Sequence, residues 1–318
     1  MVELAEEPPP EELHVDRLLS DVGIMHSSKI LQDSPSILES SLDLSTDRLT
    51  HVFSLFDTDQ DGKITYEKLK EGFETEVDSL YDDAGFESLI QHLDQDQSGD
   101  ISCAEFIQGF RTLVLHRLMR IEVKEDCVLE VFDYSHILLQ CRKGNIGGPY
   151  HPSVRSSSFA SLDSTGFFND DAPDWSTSRW IHVMGHEMTV LQRLAAKYAL
   201  HPLAIEDALD PSTLHRAKVE TYQDHYFLMI PICWLETVQG KKRVTKTWWG
   251  GSQAKAIRST KKVHVQMISI FVNVPVSDTL ISYQDSCDYP WHHRVQADLE
   301  KSYSKLRQYD AQYLTYAL

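Results

Sequence analysis

The stretch Asp94-Gln-Asp-Gln-Ser-Gly-Asp-Ile-Ser-Cys-Ala-Glu105 decides the fold of the first third of the chain. Oxygen-bearing side chains stand at its first, third and fifth positions, a glycine at the sixth permits a sharp turn, and a glutamate closes it at the twelfth. Calcium is a hard cation that takes about 6–8 oxygen ligands. The spacing therefore predicts a calcium loop whose ligands are Asp94, Asp96, Ser98, the carbonyl of Asp100, Ser102 directly or through water, and both oxygens of Glu105.

A second copy of the pattern precedes it, Asp57-Thr-Asp-Gln-Asp-Gly-Lys-Ile-Thr-Tyr-Glu-Lys68. Its twelfth position is Lys68, which removes two oxygens and adds a positive charge near the ion. We therefore predict weak calcium binding or none in this loop, which is kept to pair with the other. The alternative is that Glu67 replaces the missing acid through a bent helix start. The predicted ligands are Asp57, Asp59, Asp61 and, through its backbone carbonyl, Lys63.

Both loops lie between apolar residues at helical spacing, such as Leu49, Val52 and Phe56 before the first loop. The pattern resembles the calmodulin type of EF-hand over about 75 residues. The resemblance implies an all-α EF-hand pair in which Ile101 contacts its counterpart in the other loop through a short β pairing. We expect the last helix to run from about Ala104 to Arg120 and to lead into a second domain.

Acidic residues are concentrated in this part of the chain. Residues 1–120 hold 26 Asp and Glu against 9 Lys and Arg, a balance of −17, while the whole chain has a formal net charge of −18. Such a surface repels phosphates, which excludes nucleic acid as its partner. Five widely spaced cysteines without a CxxC pair predict neither a disulfide framework nor a zinc site and indicate a reducing compartment. No apolar run approaches the roughly 20 residues needed to cross a bilayer.

Beyond Cys127 the apolar pattern changes to strands mixed with helices. Strands are predicted near 128–132, 136–141, 180–183, 218–222, 226–236, 264–274 and 279–284, and helices at 187–198, 202–209, 291–308 and 310–318. This mixture predicts a layered α/β domain. The predicted organisation is a disordered or irregular segment at 1–40, an EF-hand pair at 41–121, and an α/β domain at 122–318 with flexible insertions at 143–178 and 239–262.

Several segments of the second part resemble the cytosolic domain of CorA magnesium channels. Tyr198-Ala-Leu-His-Pro-Leu-Ala-Ile-Glu-Asp-Ala-Leu209 and Arg216-Ala-Lys-Val-Glu220 are similar to that family's "HPL…EDIL" helix and "RPKVE" strand, except that Ala217 replaces a proline. Gln266-Met-Ile-Ser-Ile-Phe-Val272, Leu280-Ile-Ser-Tyr-Gln-Asp285 and the closing Tyr309–Leu318 follow in the family's order.

The resemblance implies a mixed-sheet α/β domain, a pentamer and a magnesium sensor between subunits. In that family, magnesium at this interface holds the closed state. The acid pair of the "ED" helix corresponds to Glu206 and Asp207. Because two acids leave a hard cation short of ligands, water and a second subunit must contribute.

The family continues into a stalk and two membrane helices with a Gly-Met-Asn signature, which this sequence does not contain. We therefore expect a soluble regulatory part of a longer membrane protein, facing the intracellular side and reaching the membrane through its C-terminal continuation.

Residues 239–262 combine eight Lys and Arg with Trp248 and Trp249 and contain no acid. One hypothesis is that the acidic lobe docks on this segment when calcium binds, because an opened EF-hand groove accepts basic, tryptophan-bearing segments. The alternative is a solvated loop or one that touches anionic lipid.

Enzyme motifs are weak, since His186-Glu187-Met-Thr-Val190 lacks the second histidine of a zinc protease motif and no G-x-S-x-G occurs. The sequence predicts a non-enzymatic calcium sensor of a CorA-like channel, with a stand-alone calcium sensor or a calcium-dependent adaptor as alternatives.

Overall fold

A computed structural model describes residues 43–76, 83–123, 127–146, 160–162, 164–209, 217–238, 244–246, 252–254, 260–273, 278–285, 291–310 and 314. The helices are α1 (Thr46–Phe56), α2 (Tyr66–Glu76), α3 (Asp83–Leu93), α4 (Cys103–Arg120), α5 (Ser164–Asn169), α6 (Met188–Tyr198), α7 (Pro202–Leu209) and α8 (His292–Leu299), with a 3₁₀ turn at Lys305–Gln308. The strands are β1 (Lys63–Thr65), β2 (Asp100–Ser102), β3 (Cys127–Tyr134), β4 (Leu139–Ile146), β5 (Ala160–Ser161), β6 (Ser178–Met184), β7 (Lys218–Thr221), β8 (Tyr226–Val238), β9 (Val244–Lys246), β10 (Ser252–Ala254), β11 (Thr260–Asn273) and β12 (Thr279–Gln284).

Helices α1 to α4 and the short strands β1 and β2 form a lobe of two helix–loop–helix units. The strands pair antiparallel with Ile64 opposite Ile101, and both side chains are fully buried. Helix α4 starts with a capping box between Ser102 and Glu105, which satisfies backbone N–H groups of its first turn. Farther along α4, a side chain at Gly109 would lie 2.6 Å from Leu93, so glycine allows α3 and α4 to approach closely.

The second part is built on an eight-stranded sheet in the order β5-β4-β3-β6-β12-β11-β8-β7. The β4–β5 and β6–β12 pairs are parallel and the others are antiparallel, so the sheet is mixed. Every residue of the central strands β6 and β12 is buried. The predicted α/β class, preceded by an all-α lobe, is confirmed. No helix among the described residues is long and apolar enough to span a membrane.

The lobe and the sheet domain share one hydrophobic core. A single cluster of buried apolar side chains runs from the lobe into the sheet domain, and α4 packs on α6. From α6, Arg193 donates to the carbonyls of Leu118 at 3.1 Å and Ile121 at 2.7 Å, at the end of α4. The end of the long helix α4 is therefore anchored to α6 of the sheet domain.

Two segments differ from their sequence prediction, and others lie outside the described residues. The segment 143–178, predicted to be a flexible insertion, contains the end of β4, strand β5 and helix α5, and its Phe167 and Phe168 are buried in the core. The predicted helix 291–308 is shorter, because α8 ends at Leu299 and only a 3₁₀ turn follows. Residues 1–40, much of 239–262 and most of 310–318 lie outside the described residues.

A buried ion pair joins the sheet's central strands. Asp133 on β3 accepts hydrogen bonds from Arg179 on β6, at 2.6 and 3.2 Å, and from Arg142 on β4, at 2.7 Å. The side chains of Asp133 and Arg179 are almost fully buried. Each charge is therefore tolerated only because its partner is present.

We expect Asp133→Ala to lower the free energy of unfolding by about 3–5 kcal/mol, because it leaves a buried guanidinium without its counter-ion. Urea denaturation followed by circular dichroism measures the change. The control Asp298→Ala removes a half-exposed carboxylate paired with Lys301, and it should change stability far less. Equal effects of the two substitutions would contradict the assignment.

Candidate metal centre

The second loop gathers its carboxylates around one point. One oxygen from each of Asp94, Asp96 and Glu105 lies within 4.8 Å of those from the other two. The N–H groups of Ser98 and Gly99 donate to the two oxygens of Asp94, each at 3.1 Å. Gly99 has a φ of 91°, which side-chain-bearing residues rarely adopt, so the turn depends on this glycine. Three converged carboxylates are a donor set that suits a hard divalent cation.

Neighbouring oxygens complete this arrangement. The hydroxyl of Ser98 donates to the carbonyl of Asp100 at 2.9 Å, so two predicted ligands are adjacent. Ser102 donates to the Glu105 carboxylate from its hydroxyl at 2.6 Å and its N–H at 3.0 Å, and the hydroxyl contact lowers the pKa of Glu105. The carboxylate is thus ionised at neutral pH. The loop borders an open depression of about 470 Å³, which gives an ion a path from solvent.

The first loop also contributes two side chains to the second. The hydroxyl of Tyr66, at the tenth position of the first loop, donates to Asp94 at the first position of the second. This hydrogen bond lowers the pKa of Asp94 and raises that of Tyr66 to about 12. Lys63 forms an ion pair with Asp100 at 2.8 Å. Sequence reasoning missed both contacts, because they depend on the β1–β2 register rather than on spacing within a loop.

A lysine ammonium lies against the acids of the first loop. Asp57, Asp59 and Asp61 have oxygens within 4.8 Å of one another. The ammonium of Lys68 lies 2.6 Å from Asp59 and 4.0 Å from Asp61. The contact lowers the pKa of Asp59 and raises that of Lys68. The exposed Glu67 does not belong to this acid cluster. Lys68 thus offsets one of the three negative charges that would otherwise attract a calcium ion.

The acid pair of α7 lies in the sheet domain. Glu206 is exposed, and Asp207 is partly buried and forms an ion pair with Lys218 on β7. The same ammonium lies 2.8 Å from Glu220. In the part of the chain that the structure describes, neither acid joins a three-residue metal cluster. Within this chain, Asp207 is therefore neutralised by a lysine.

Comparisons with known proteins find two families in this chain. The family model of the EF-hand domain pair matches residues 46–111, which cover the two loops and their helices. The model of the CorA-like Mg²⁺ transporter protein matches residues 175–253, which include β6, α6, α7, β7 and β8. No curated protein matches the chain significantly. The chain therefore combines an EF-hand pair with a CorA-like region, as the sequence motifs indicate.

Proposed function

We propose that this chain is the calcium-sensing regulatory region of a CorA-like divalent cation channel, on the intracellular side of its membrane. The observation that carries the proposal is the convergence of Asp94, Asp96 and Glu105 in a lobe that shares its core with the CorA-like region. Calcium binds in the second loop, where Ser98 and the carbonyl of Asp100 are adjacent further ligands. A bound ion neutralises the loop acids and fixes the start of α4, which Glu105 caps.

The first loop acts as a structural partner in this proposal. Its Asp59 is paired with Lys68, which stands at the position of the missing acid, and the loop supports the second loop through the β1–β2 pairing and the Tyr66–Asp94 contact. In this proposal, calcium therefore acts through the second loop alone. Docking of the lobe on 239–262 stays a prediction, because Trp248 and Trp249 lie outside the described residues.

Magnesium binds between copies of the chain, at the surface that carries Glu206 and Asp207. The support is chemical: a hard cation needs more oxygens than two acids supply. Lys218 pairs with one oxygen of Asp207, so an ion and the ammonium compete for the same carboxylate. The ligands that are lacking come from water and a neighbouring copy, which makes self-association depend on magnesium. A pentamer is the assembly proposed for the whole channel.

We expect magnesium to promote self-association of the chain, and Asp207→Asn to remove this effect, because the amide loses the charge that attracts the ion. Sedimentation velocity across a magnesium titration measures it. The matched control Asp298→Asn changes a carboxylate on α8 and should behave like the parent. A parent chain whose sedimentation ignores magnesium, or an Asp207→Asn variant that responds normally, would contradict the proposed sensor.

A further inference from the structure

The hairpin of β7 and β8 touches the calcium lobe at its turn and Asp207 at its start. At the turn, Asp224 accepts a hydrogen bond from the N–H of Thr46 at 2.9 Å and another from the Thr46 hydroxyl at 2.6 Å. Thr46 is the first residue of α1, the entering helix of the EF-hand pair. A carboxylate from the CorA-like region thus lies at the N-terminus of a lobe helix, where the N–H groups and the helix dipole favour negative charge.

A residue of α4 completes this contact. Arg111 donates to the Thr46 hydroxyl at 2.9 Å and to the carbonyl of Leu44 at 3.0 and 2.9 Å, and it lies 3.8 Å from Asp224. Asp224 and Arg111 are both buried. Arg111 shares its helix with Glu105, the last acid of the calcium loop, at six residues' distance. The first and last helices of the lobe are therefore held against one carboxylate of the other domain.

From the turn, contacts continue to Asp207. The ring of His225 stacks on that of Tyr222 with centroids 5.0 Å apart, and the Tyr222 hydroxyl donates to Glu220 at 2.6 Å. Lys218 then joins Glu220 to Asp207. The contacts that connect Thr46 with Asp207 thus lie along the short strand β7 and the turn that follows it.

We infer that Asp224 is the coupling residue between the calcium loop and Asp207. The inference rests on the proposed function, whose regulation it specifies. With the Asp224 contact formed, the acids of the second loop are already converged. Through Thr46 and Arg111 this contact holds α1 and α4, and with α4 the residue Glu105, before an ion arrives, and a site that is already arranged loses less freedom when an ion binds. Reciprocity requires that calcium in turn stabilise the hairpin that carries Lys218 and Asp224.

Asp224→Asn is expected to weaken calcium binding about fivefold or more, near the lower end of typical coupling between sites. The asparagine amide keeps the size of the side chain but places an N–H₂ group against the N–H and hydroxyl donors of Thr46. Titration calorimetry of the full chain with calcium chloride measures the affinity, with Asp298→Asn as the control of equal charge change. In the double variant Asp224→Asn/Asp207→Asn, the effects on calcium affinity should be non-additive, as for residues in one network.

A measurement on the unmodified chain guards against a variant that fails to fold. Calcium should slow amide hydrogen exchange in residues 217–238, and Glu105→Gln should abolish this protection. The inference is overturned if calcium binds but leaves exchange of this hairpin unchanged, or if a folded Asp224→Asn chain binds calcium within about twofold of the parent. Absence of calcium binding by the parent would instead overturn the proposed function.

Discussion

Glu105→Gln is expected to lower calcium affinity at least about 100-fold, because even groups that only support a metal ligand change affinity about 10–100-fold. The substitution removes one charge and one anionic oxygen from the converged set of Asp94, Asp96 and Glu105. It should leave the fold intact, since a glutamine at this place in a capping box can still accept from the N–H of Ser102. The loss therefore reports on ligation. Titration calorimetry with calcium measures it.

The matched control for this substitution is Glu87→Gln, which makes the same chemical change at an exposed position of α3 in the same lobe. The control should bind calcium like the parent. If both variants bound like the parent, the second loop would not be the calcium site. If both lost binding equally, the effect would come from the charge of the lobe as a whole.

Lys68→Glu is expected to create a second calcium site. The substitution removes the ammonium that lies against Asp59 and Asp61. It also places an acid at the twelfth position, where two oxygens of a calcium ligand belong. Three aspartates are already converged in this loop, so the new acid completes a set like that of the second loop. The number of calcium ions bound per chain should rise from one to two.

The control for this gain is Lys70→Glu, an exposed lysine two residues farther along the same helix. It makes an equal change of charge without adding a ligand to the loop, so its calcium stoichiometry should stay at one. Equilibrium dialysis at saturating calcium distinguishes the two variants. A Lys68→Glu chain that still bound a single ion would show that the first loop is inactive for a reason other than Lys68.

Local sequence patterns were sufficient to predict the fold class. The spacing of the two loops and the lysine at the twelfth position of one can be read from the sequence through ligand chemistry, and the pairing of Ile64 with Ile101 was implied by the EF-hand resemblance. The structure adds the place of the Lys68 ammonium. A flexible side chain at a loop end has many rotamers, so only the neighbouring acids decide where it lies.

Such local patterns did not predict the contacts between segments that are far apart in the chain. The parallel pairing of β6 with β12 joins segments about 100 residues apart, and no periodicity within either strand specifies its neighbour. Phe167 and Phe168 stand in a stretch without apolar periodicity, yet Arg193 of α6 lies over the Phe168 ring and both phenylalanines are buried. The Asp224–Thr46 contact spans 178 residues and gave no signal in the sequence.

The most direct test of the account is the number of calcium ions that the unmodified chain binds. Equilibrium dialysis should find one ion per chain, because the second loop has Glu105 at its twelfth position beside Asp94 and Asp96, while the first has the ammonium of Lys68 there, against Asp59. That ion should disappear in Glu105→Gln. Two ions of similar affinity in the parent, or none at all, would contradict the account.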